Sequence, residues 1–357
     1  MRIVIAKKTL STVGGSEVFA RSLDRELRAL GHEVTLVGMR PAWSRPGIAA
    51  DRRSVFLSVR GGRVGAAIDG LLPTSLVDES DLRRAIRSAD VVHSIAREWV
   101  VPLERAARAE GSAFVETPLV HPGQRFSGNT AGDIARYRRD DAVIALTEWE
   151  AAWYRARGVE NVHVTGIGPN LAALPPAARE PATILFVGRK ERYKGYHALR
   201  DAARLVWRER PDARFIAIGQ AAWTARFSRA PADPRWEELG VVSEEDKAMA
   251  YARASIFAMP SDHETFGHTY LEAWRAGLPV IAGDIEPLRE IVREGVDGLH
   301  SRNEPGAIAD AILTLLRDPK RAAAMGESGR RRLDGEFAWP VVGKKTEAAY
   351  RSSIERA

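Results

Sequence analysis

The chain has 357 residues, of which 45% are hydrophobic and 28% are charged, and its formal net charge is +6. This length and composition are typical of a globular protein with two domains. The sequence contains no cysteine, which excludes disulfides, thiolate metal sites and cysteine nucleophiles. No apolar run approaches the ~18 residues of a membrane span. No basic block is interleaved with aromatic residues, so nucleic acid binding is not supported.

The first half of the chain alternates short apolar runs with helical patterns. The predicted strands are residues 3–6, 33–37, 55–59, 90–93, 113–117, 142–146 and 162–165. The predicted helices between them include residues 16–30, 76–88, 101–109 and 148–157. This alternation is typical of βαβ units that build a parallel sheet.

The alternation restarts after the proline-rich segment 174–181, which is the predicted linker. Predicted strands follow at 183–188, 214–219, 254–260 and 279–282, and predicted helices at 194–210, 244–253, 268–276, 288–294 and 305–317. We therefore predict an α/β fold with two doubly wound, parallel-sheet (Rossmann-like) domains, 1–172 and 180–335, that face a cleft. The segment 336–357 follows the completed second domain, and we expect it to pack back on the first.

Two glutamates in the second half, Glu264 and Glu272, are separated by seven residues and flank the pair Phe266–Gly267. Gly267 lies where a predicted strand gives way to a helix, and the unpaired N–H groups of a helix N-terminus attract phosphate. This glycine has no Cβ to keep a ligand from the backbone. An anion site beside carboxylates that accept hydrogen bonds from hydroxyls suits a sugar nucleotide. Two solvated surface glutamates are the alternative.

Two cations follow the first strand of the second half. Arg189 ends that strand, and Lys194 lies five residues later at the start of the next predicted helix. At the carboxyl end of a strand, both side chains can reach one diphosphate. Their charge would stabilise a diphosphate as it leaves. The alternative is a pair of exposed surface bases.

The first half offers a glycine pair and two histidines. Gly14–Gly15 is not part of a G-x-G-x-x-G pattern, and no acid ends the second strand, so an NAD fingerprint is absent. The pair is either a tight turn or a loop whose amides approach a sugar or its phosphate. His121, after the 113–117 strand, is a candidate for contact with the sugar, and His93 is its rival. No metal site is predicted, because no His/Asp/Glu set has ligand spacing.

Taken together, these motifs resemble the retaining glycosyltransferases of family 4, which have the GT-B fold. The similar segments are 14–17 with 31–34, 186–189 with 194–195, 260–280, and 295–299 with Trp339. The resemblance implies transfer of a hexose from a UDP- or GDP-sugar to an acceptor hydroxyl, with the anomeric configuration retained. It also implies that no metal or other cofactor is bound, because arginine and lysine neutralise the diphosphate.

The resemblance further implies a role for each residue of the second half. Glu272 holds the ribose hydroxyls, and Glu264 contacts the hydroxyls of the donor sugar. Arg189 and Lys194 bind the diphosphate, with help from the amides of residues 266 and 267.

In the first half, the resemblance implies that the Gly14–Gly15 loop approaches the phosphate and the sugar. Members of this family have a histidine at the position that corresponds to Leu119 in this chain. Its role is therefore carried to His121 with an offset of two positions.

Other interpretations stay open at this point. They are a sugar-nucleotide epimerase or phosphorylase of the same fold, and an inactive partner that binds a sugar nucleotide. We expect a cytoplasmic protein, with peripheral contact to the inner face of the membrane left open, as is the oligomeric state. The acceptor is expected to bind the first domain, where Trp43, Trp99, Arg125 and the segment 40–53 are candidates. A lipid-linked acceptor, a polysaccharide and a small natural product all stay open.

Overall fold

The computed structural model describes residues 1–10, 14–39, 54–61, 64, 76–97, 99–122, 129–221 and 233–357. The chain divides into two compact units, Met1–Ile167 with Trp339–Ala357, and Gly168–Ala338. We call them the first and the second domain. The proline-rich segment 174–181 lies inside the second domain.

A seven-stranded sheet forms the centre of the first domain. Its strands are β1 (Arg2–Ala6), β2 (Glu33–Met39), β3 (Ser54–Leu57), β4 (Val91–Ile95), β5 (Ala113–Thr117), β6 (Ala142–Ala145) and β7 (Val162–Val164). They pair in the order β3-β2-β1-β4-β5-β6-β7, and each pairing is parallel. The central strands are buried along almost all of their length, as expected for a parallel sheet with helices on both faces.

Among the described residues of this domain, five helices connect the strands: α1 (Gly15–Ala29), α2 (Glu79–Ile86), α3 (Val100–Glu110), α4 (Ala131–Tyr137) and α5 (Glu148–Arg155). Side chains cap three of them, because Asp78, Thr130 and Thr147 accept hydrogen bonds from backbone N–H groups of the first turn. Such caps satisfy donors that have no partner within the helix, and so they define where each helix begins.

The C-terminal helix, Trp339–Arg356, completes the first domain after the chain has passed through the second. It packs on α1, where the centroids of the Trp339 and Phe19 rings lie 6.0 Å apart. It also contacts β5 and β6. The predicted return of the C-terminal segment to the first domain is confirmed from Trp339 onward, whereas residues 336–338 belong to the second domain.

A six-stranded sheet forms the centre of the second domain. Its strands are β8 (Thr183–Val187), β9 (Arg214–Ile218), β10 (Trp236–Glu238), β11 (Ile256–Met259), β12 (Val280–Gly283) and β13 (Gly298–Ser301). They pair in parallel in the order β10-β9-β8-β11-β12-β13. The helices are α6 (Tyr196–Glu209), α7 (Glu244–Arg253), α8 (His268–Arg275), α9 (Glu286–Ile291), α10 (Pro305–Arg317) and α11 (Pro319–Arg332).

The predicted fold class is confirmed, since each domain is a doubly wound parallel sheet. Four elements were not among those predicted: β10, β13, α4 and α11. In α11 the buried residues are Ala322, Met325, Gly326 and Gly329, so this helix lacks the broad apolar stripe by which helices are recognised. Across the described ranges, no helix has both the length and the apolar character needed to cross a membrane.

Candidate functional site

The carboxyl end of β8 presents the first of the two predicted diphosphate-binding cations. Arg189 follows this strand, and 62% of its side chain is exposed. The guanidinium donates a hydrogen bond to the Tyr193 hydroxyl and lies 3.3 Å from a carboxylate oxygen of Glu191. Because a guanidinium has five N–H donors, these contacts leave it able to bind an anion at this edge of the sheet.

Lys194 ends a short 3₁₀ turn, Arg192–Lys194, that separates β8 from α6. Gly195 then adopts a left-handed conformation with φ 78°, and α6 begins at Tyr196. The predicted helix start at Lys194 is therefore too early, because Lys194 belongs to the 3₁₀ turn that precedes α6. A Cβ at position 195 would lie 2.6 Å from the carbonyl oxygen of Pro260. Glycine lets the turn lie against the end of β11.

Lys194 and Glu264 form an ion pair in which the ammonium contacts Oε1. Both side chains are mostly buried, with 14% and 10% exposed. The Lys194 Nζ also lies 5.2 Å from the centroid of the Tyr193 ring, and the Arg189 Cζ lies 5.4 Å from the same centroid. One aromatic ring thus contacts both cations. The structure therefore brings Arg189, Lys194 and Glu264 together.

Gly267 precedes α8 with φ 91° and ψ 82°. A Cβ at this position would lie 2.5 Å from the Tyr270 ring and 3.7 Å from the carboxyl carbon of Glu264. Glycine is required here, and the N-terminus of α8 begins beside the Lys194–Glu264 pair. Phe266 is buried, and its ring packs edge-on against Phe337 with centroids 5.4 Å apart. Only the backbone of Phe266 is left to contact a ligand.

Glu272 lies further along α8, and only 3% of the residue is exposed. One carboxylate oxygen lies 3.3 Å from the Lys247 Nζ, and the other accepts a hydrogen bond of 2.9 Å from the Tyr251 hydroxyl. Burial raises the pKa of Glu272 to about 7, although Lys247 acts in the opposite direction. Glu272 is therefore a carboxylate with its own partners, apart from the Lys194–Glu264 pair.

Three residues of this region were missed by the sequence analysis: Tyr193, Lys247 and Tyr251. Tyr193 is adjacent to Lys194 in the chain, so its proximity was available as a signal. Lys247 and Tyr251 both lie on α7, 25 and 21 residues before Glu272. No local pattern in the sequence indicates that α7 and α8 place these side chains together.

In the first domain, Gly14 and Gly15 stand at the start of α1. The Glu17 side chain folds back over Gly14, and its carboxylate accepts hydrogen bonds from Thr9 at 2.8 Å and Ser16 at 2.9 Å. An acidic residue in the first turn is stabilised by the helix dipole. The approach of this loop to a phosphate and a sugar stays a prediction.

The two candidate histidines have different surroundings. His121 is partly buried, and its ring centroid lies 5.2 Å from that of Trp149. His93 is fully buried in β4, with Nδ1 2.7 Å from the Tyr350 hydroxyl and Nε2 2.7 Å from the Thr117 hydroxyl. Burial lowers the pKa of His93 to about 3. His93 is therefore a structural residue, and the role of His121 stays a prediction.

Most of the residues considered for the acceptor lie outside the described residues. These are Trp43, Arg125 and the segment 40–53. Trp99 is described; it precedes α3 and is 4% exposed within the core of the first domain. Its indole therefore contributes to packing rather than to an open binding surface.

Two family models match the chain, one in each half. The model described as "Glycosyl transferase 4-like domain" matches residues 14–170. The model described as "Glycosyl transferases group 1" matches residues 175–332. Together they take in most of both domains, including all of the candidate residues named above.

Similar proteins match nearly the whole chain. Glycogen synthase from Mycobacterium tuberculosis is 27% identical over 95% of this chain and 91% of its own length. D-inositol 3-phosphate glycosyltransferase 1 from Catenulispora acidiphila is 29% identical over 80% of this chain and 78% of its own. The crystal structure of Anabaena HepE in complex with UDP and glucose has the same fold, with a TM-score of 0.79 and 16% identity over 99% of this chain and 100% of HepE. The chain is therefore a glycosyltransferase and belongs to the GT-B glycosyltransferases of the family 4 type.

Proposed function

We propose that this chain is a retaining hexosyltransferase that moves a sugar from a UDP- or GDP-sugar to an acceptor hydroxyl. The observation that carries the proposal is the Tyr193 ring, against which Arg189 and Lys194 both lie. The N-terminus of α8 begins beside Glu264, the ion-pair partner of Lys194. Two cations and a helix N-terminus form an anion site that suits a diphosphate.

In this proposal, Arg189 and Lys194 bind the diphosphate. A planar guanidinium makes paired hydrogen bonds to phosphate oxygens, and an ammonium that contacts Glu264 still has two further N–H donors. Their charges stabilise the diphosphate as it leaves, which is the role that a divalent cation has in many other enzymes. We therefore expect nucleotide binding to be the same with and without EDTA.

The two carboxylates bind hydroxyl groups of the donor. Glu264 accepts hydrogen bonds from the transferred sugar, and its ion pair with Lys194 holds the carboxylate beside the proposed diphosphate site. Glu272 accepts hydrogen bonds from the ribose, and Lys247 favours its ionised form. The amides of residues 266 and 267 contribute to binding the diphosphate.

The transfer step follows from this arrangement. The acceptor oxygen attacks the anomeric carbon on the face from which the diphosphate departs, so the configuration is retained. The bond from the anomeric carbon to the phosphate oxygen breaks, and the new glycosidic bond forms. The proton of the acceptor hydroxyl moves to an oxygen of the departing diphosphate, whose remaining charge Arg189 and Lys194 stabilise. The presence of UDP and glucose in the structure of HepE supports this choice of donor.

Calorimetric titration with UDP and GDP tests the donor site. We expect the natural chain to bind one of these two nucleotides. Arg189→Ala and Lys194→Ala should each weaken that binding at least tenfold, because each removes hydrogen bonds to a charged group. Arg192→Ala is the matched control, since Arg192 is an exposed base of the same turn. Equal binding by all four proteins, or binding of neither nucleotide, would contradict the proposal.

The configuration of the product tests the mechanism separately. Incubation with α-linked donors, UDP-glucose and GDP-mannose, in the presence of methanol yields a methyl glycoside that does not mutarotate. We expect the α-glycoside by proton NMR. A β-glycoside would exclude retention while leaving the donor site intact.

A further inference from the structure

A cavity of about 610 Å³ lies in the second domain, at the edge of the sheet where the strands begin. Residues directly before β8, β11 and β12 line it: Ala182, Ser255 and Pro279. The proposed donor site lies at the opposite, carboxyl ends of β8 and β11. All strands of this sheet run in parallel, so their two ends form opposite edges. The cavity is therefore a separate site.

The interior of the cavity is apolar. Ile256 of β11, Leu315 and Leu316 of α10, and Ala322 of α11 are buried and contribute to its lining. Its volume is within the range of roughly 300–1,000 Å³ found for small-molecule sites. Such sites have apolar walls and a few polar groups that converge on the ligand.

The polar groups of this cavity are mainly arginines: Arg179, Arg210, Arg275 and Arg330. Two of them are paired with carboxylates. Arg210 pairs with Asp212 at 2.8 Å, and Arg330 pairs with Glu327 at 2.7 Å.

The other two arginines form no ion pair with a carboxylate in the described part of the chain. Arg179 donates hydrogen bonds to the carbonyl oxygens of Ala276 at 2.6 Å and Gly277 at 3.4 Å. Arg275 is an exposed residue in the last turn of α8. Neither guanidinium pairs with a carboxylate among the residues that the structure describes. Two guanidinium groups that pair with no described carboxylate, next to apolar walls, favour a ligand with an anionic end and an apolar body.

We propose that this cavity binds a small anionic amphiphile, in which a phosphate or carboxylate head group is joined to an apolar body. Arg179 and Arg275 bind the head group, and the apolar body lies against Leu315, Leu316 and Ala322. Because the donor site lies at the other ends of the strands, the amphiphile and a nucleotide bind at the same time.

Calorimetric titration of the full chain with decyl phosphate, below its critical micelle concentration, tests this site. Inorganic phosphate and the neutral decyl maltoside test the two halves of the ligand separately. We expect one decyl phosphate per chain and at least tenfold weaker binding of each of the other two. Saturating UDP should not displace decyl phosphate. Displacement by UDP, or binding of inorganic phosphate or decyl maltoside as tight as that of decyl phosphate, would overturn the proposal.

Two pairs of substitutions locate the binding. Arg275→Ala should weaken decyl phosphate binding about tenfold, whereas Arg204→Ala, at an exposed arginine of α6 outside the cavity, should leave it unchanged. Ala323→Trp places a large ring at the cavity lining and should abolish binding. Ala324→Trp is its matched control, because Ala324 is the next exposed residue of α11 and does not line the cavity. Natural affinity in both Arg275→Ala and Ala323→Trp would exclude this cavity.

Sedimentation with phosphatidylglycerol vesicles identifies the source of the head group. Binding of vesicles by the natural chain but not by Ala323→Trp would support the proposal with a membrane lipid as ligand. Binding of decyl phosphate without vesicles would support it with a soluble amphiphile. Binding of neither would refute it.

Discussion

The Tyr251 hydroxyl donates a hydrogen bond of 2.9 Å to the buried carboxylate of Glu272. With Lys247 3.3 Å from the other oxygen, this carboxylate has two partners inside the second domain. The two partners do not fully compensate for the loss of water around the carboxylate, and burial therefore raises the pKa of Glu272 to about 7. The second domain thus contains a group whose ionisation it disfavours, at a position proposed to bind ribose.

Replacing Glu272 by glutamine should stabilise the second domain at alkaline pH. The pKa in the folded state, about 7, lies above the ordinary value of 4.5, so the folded state holds a proton that the unfolded state releases. Stability is therefore highest below pH 4.5 and falls as pH rises from 4.5 to 7. Glu272→Gln removes this slope and should raise the free energy of unfolding at pH 8 by about 1–3 kcal/mol. Urea unfolding at pH 5 and pH 8 measures it.

The same substitution should weaken the binding of the nucleotide about tenfold, because an amide accepts hydrogen bonds from hydroxyls less well than a carboxylate. Glu244→Gln is the control, since Glu244 also pairs with Lys247 but is exposed on α7. A Glu272→Gln protein with the natural pH slope would show that the carboxylate is not disfavoured by burial.

Tyr193 should act as a positioning residue for the two cations. Tyr193→Ala removes the ring that contacts Arg189 and Lys194, so we expect it to weaken UDP or GDP binding about tenfold. Tyr193→Phe keeps the ring and loses only the hydroxyl, and its affinity should stay within about threefold of the natural chain. Calorimetry compares the three proteins. If the alanine and phenylalanine variants bind equally, the ring does not position the cations.

Gly267 should tolerate no side chain. Alanine at this position would have a φ of 91° and a Cβ only 2.5 Å from the Tyr270 ring. Gly267→Ala should lower the free energy of unfolding by about 1–3 kcal/mol. Gly306→Ala is a matched control, since Gly306 lies in the first turn of α10 with open space around it. It should be neutral or slightly stabilising, and equal losses in both variants would contradict the argument.

His93 should make the first domain sensitive to acid. Its pKa of about 3 in the folded state lies below the ordinary 6.5, so the unfolded state binds a proton that the folded state excludes. This contribution to stability is complete above pH 6.5 and is lost as pH falls towards 3, by at most about 1.4 kcal/mol per pH unit. His93→Gln should remove this dependence of the free energy of unfolding on pH. Unfolding curves between pH 4 and pH 7 measure it.

Tyr350→Phe separates the titration of His93 from its hydrogen bonding. It removes the hydrogen-bond partner of the His93 Nδ1 and should lower the free energy of unfolding by about 1–3 kcal/mol at every pH. The dependence of this free energy on pH should remain. If the free energy of unfolding of the His93→Gln protein still falls with pH as in the natural chain, another group causes the acid sensitivity.

Local signals in the sequence predicted most of the strands and helices and the neighbourhood of Gly267. A strand that ends in glycine, or a glycine before a helix, is recognisable because few other residues fit there. The arrangement of side chains was less accessible. Lys194 and Glu264 are 70 residues apart in the chain, and only the parallel pairing of β8 with β11 brings their loops together.

The partners of Glu272 and the lining of the cavity also could not be predicted, because both depend on contacts between segments that are distant in the sequence. Lys247 and Tyr251 lie on a helix whose sequence contains no motif that indicates a site, and their contact with α8 depends on how the two helices pack. The cavity forms where the segment before β8 meets α10 and α11, and α11 was not predicted. Its arginines look like solvated surface residues in the sequence, because nothing local shows which of them lacks an acidic neighbour.

The discontinuity of the first domain has a consequence during synthesis. The helix Trp339–Arg356 emerges from the ribosome only after the entire second domain. Until then Phe19 lacks its aromatic neighbour, and the buried imidazole of β4 lacks its phenol. The first domain therefore stays incompletely folded, and accessible to chaperones and proteases, until this helix has been synthesised. The second domain is complete earlier and can already fold as a unit. A chain that stops before Trp339 would contain the whole second domain and would lack the helix that completes the first.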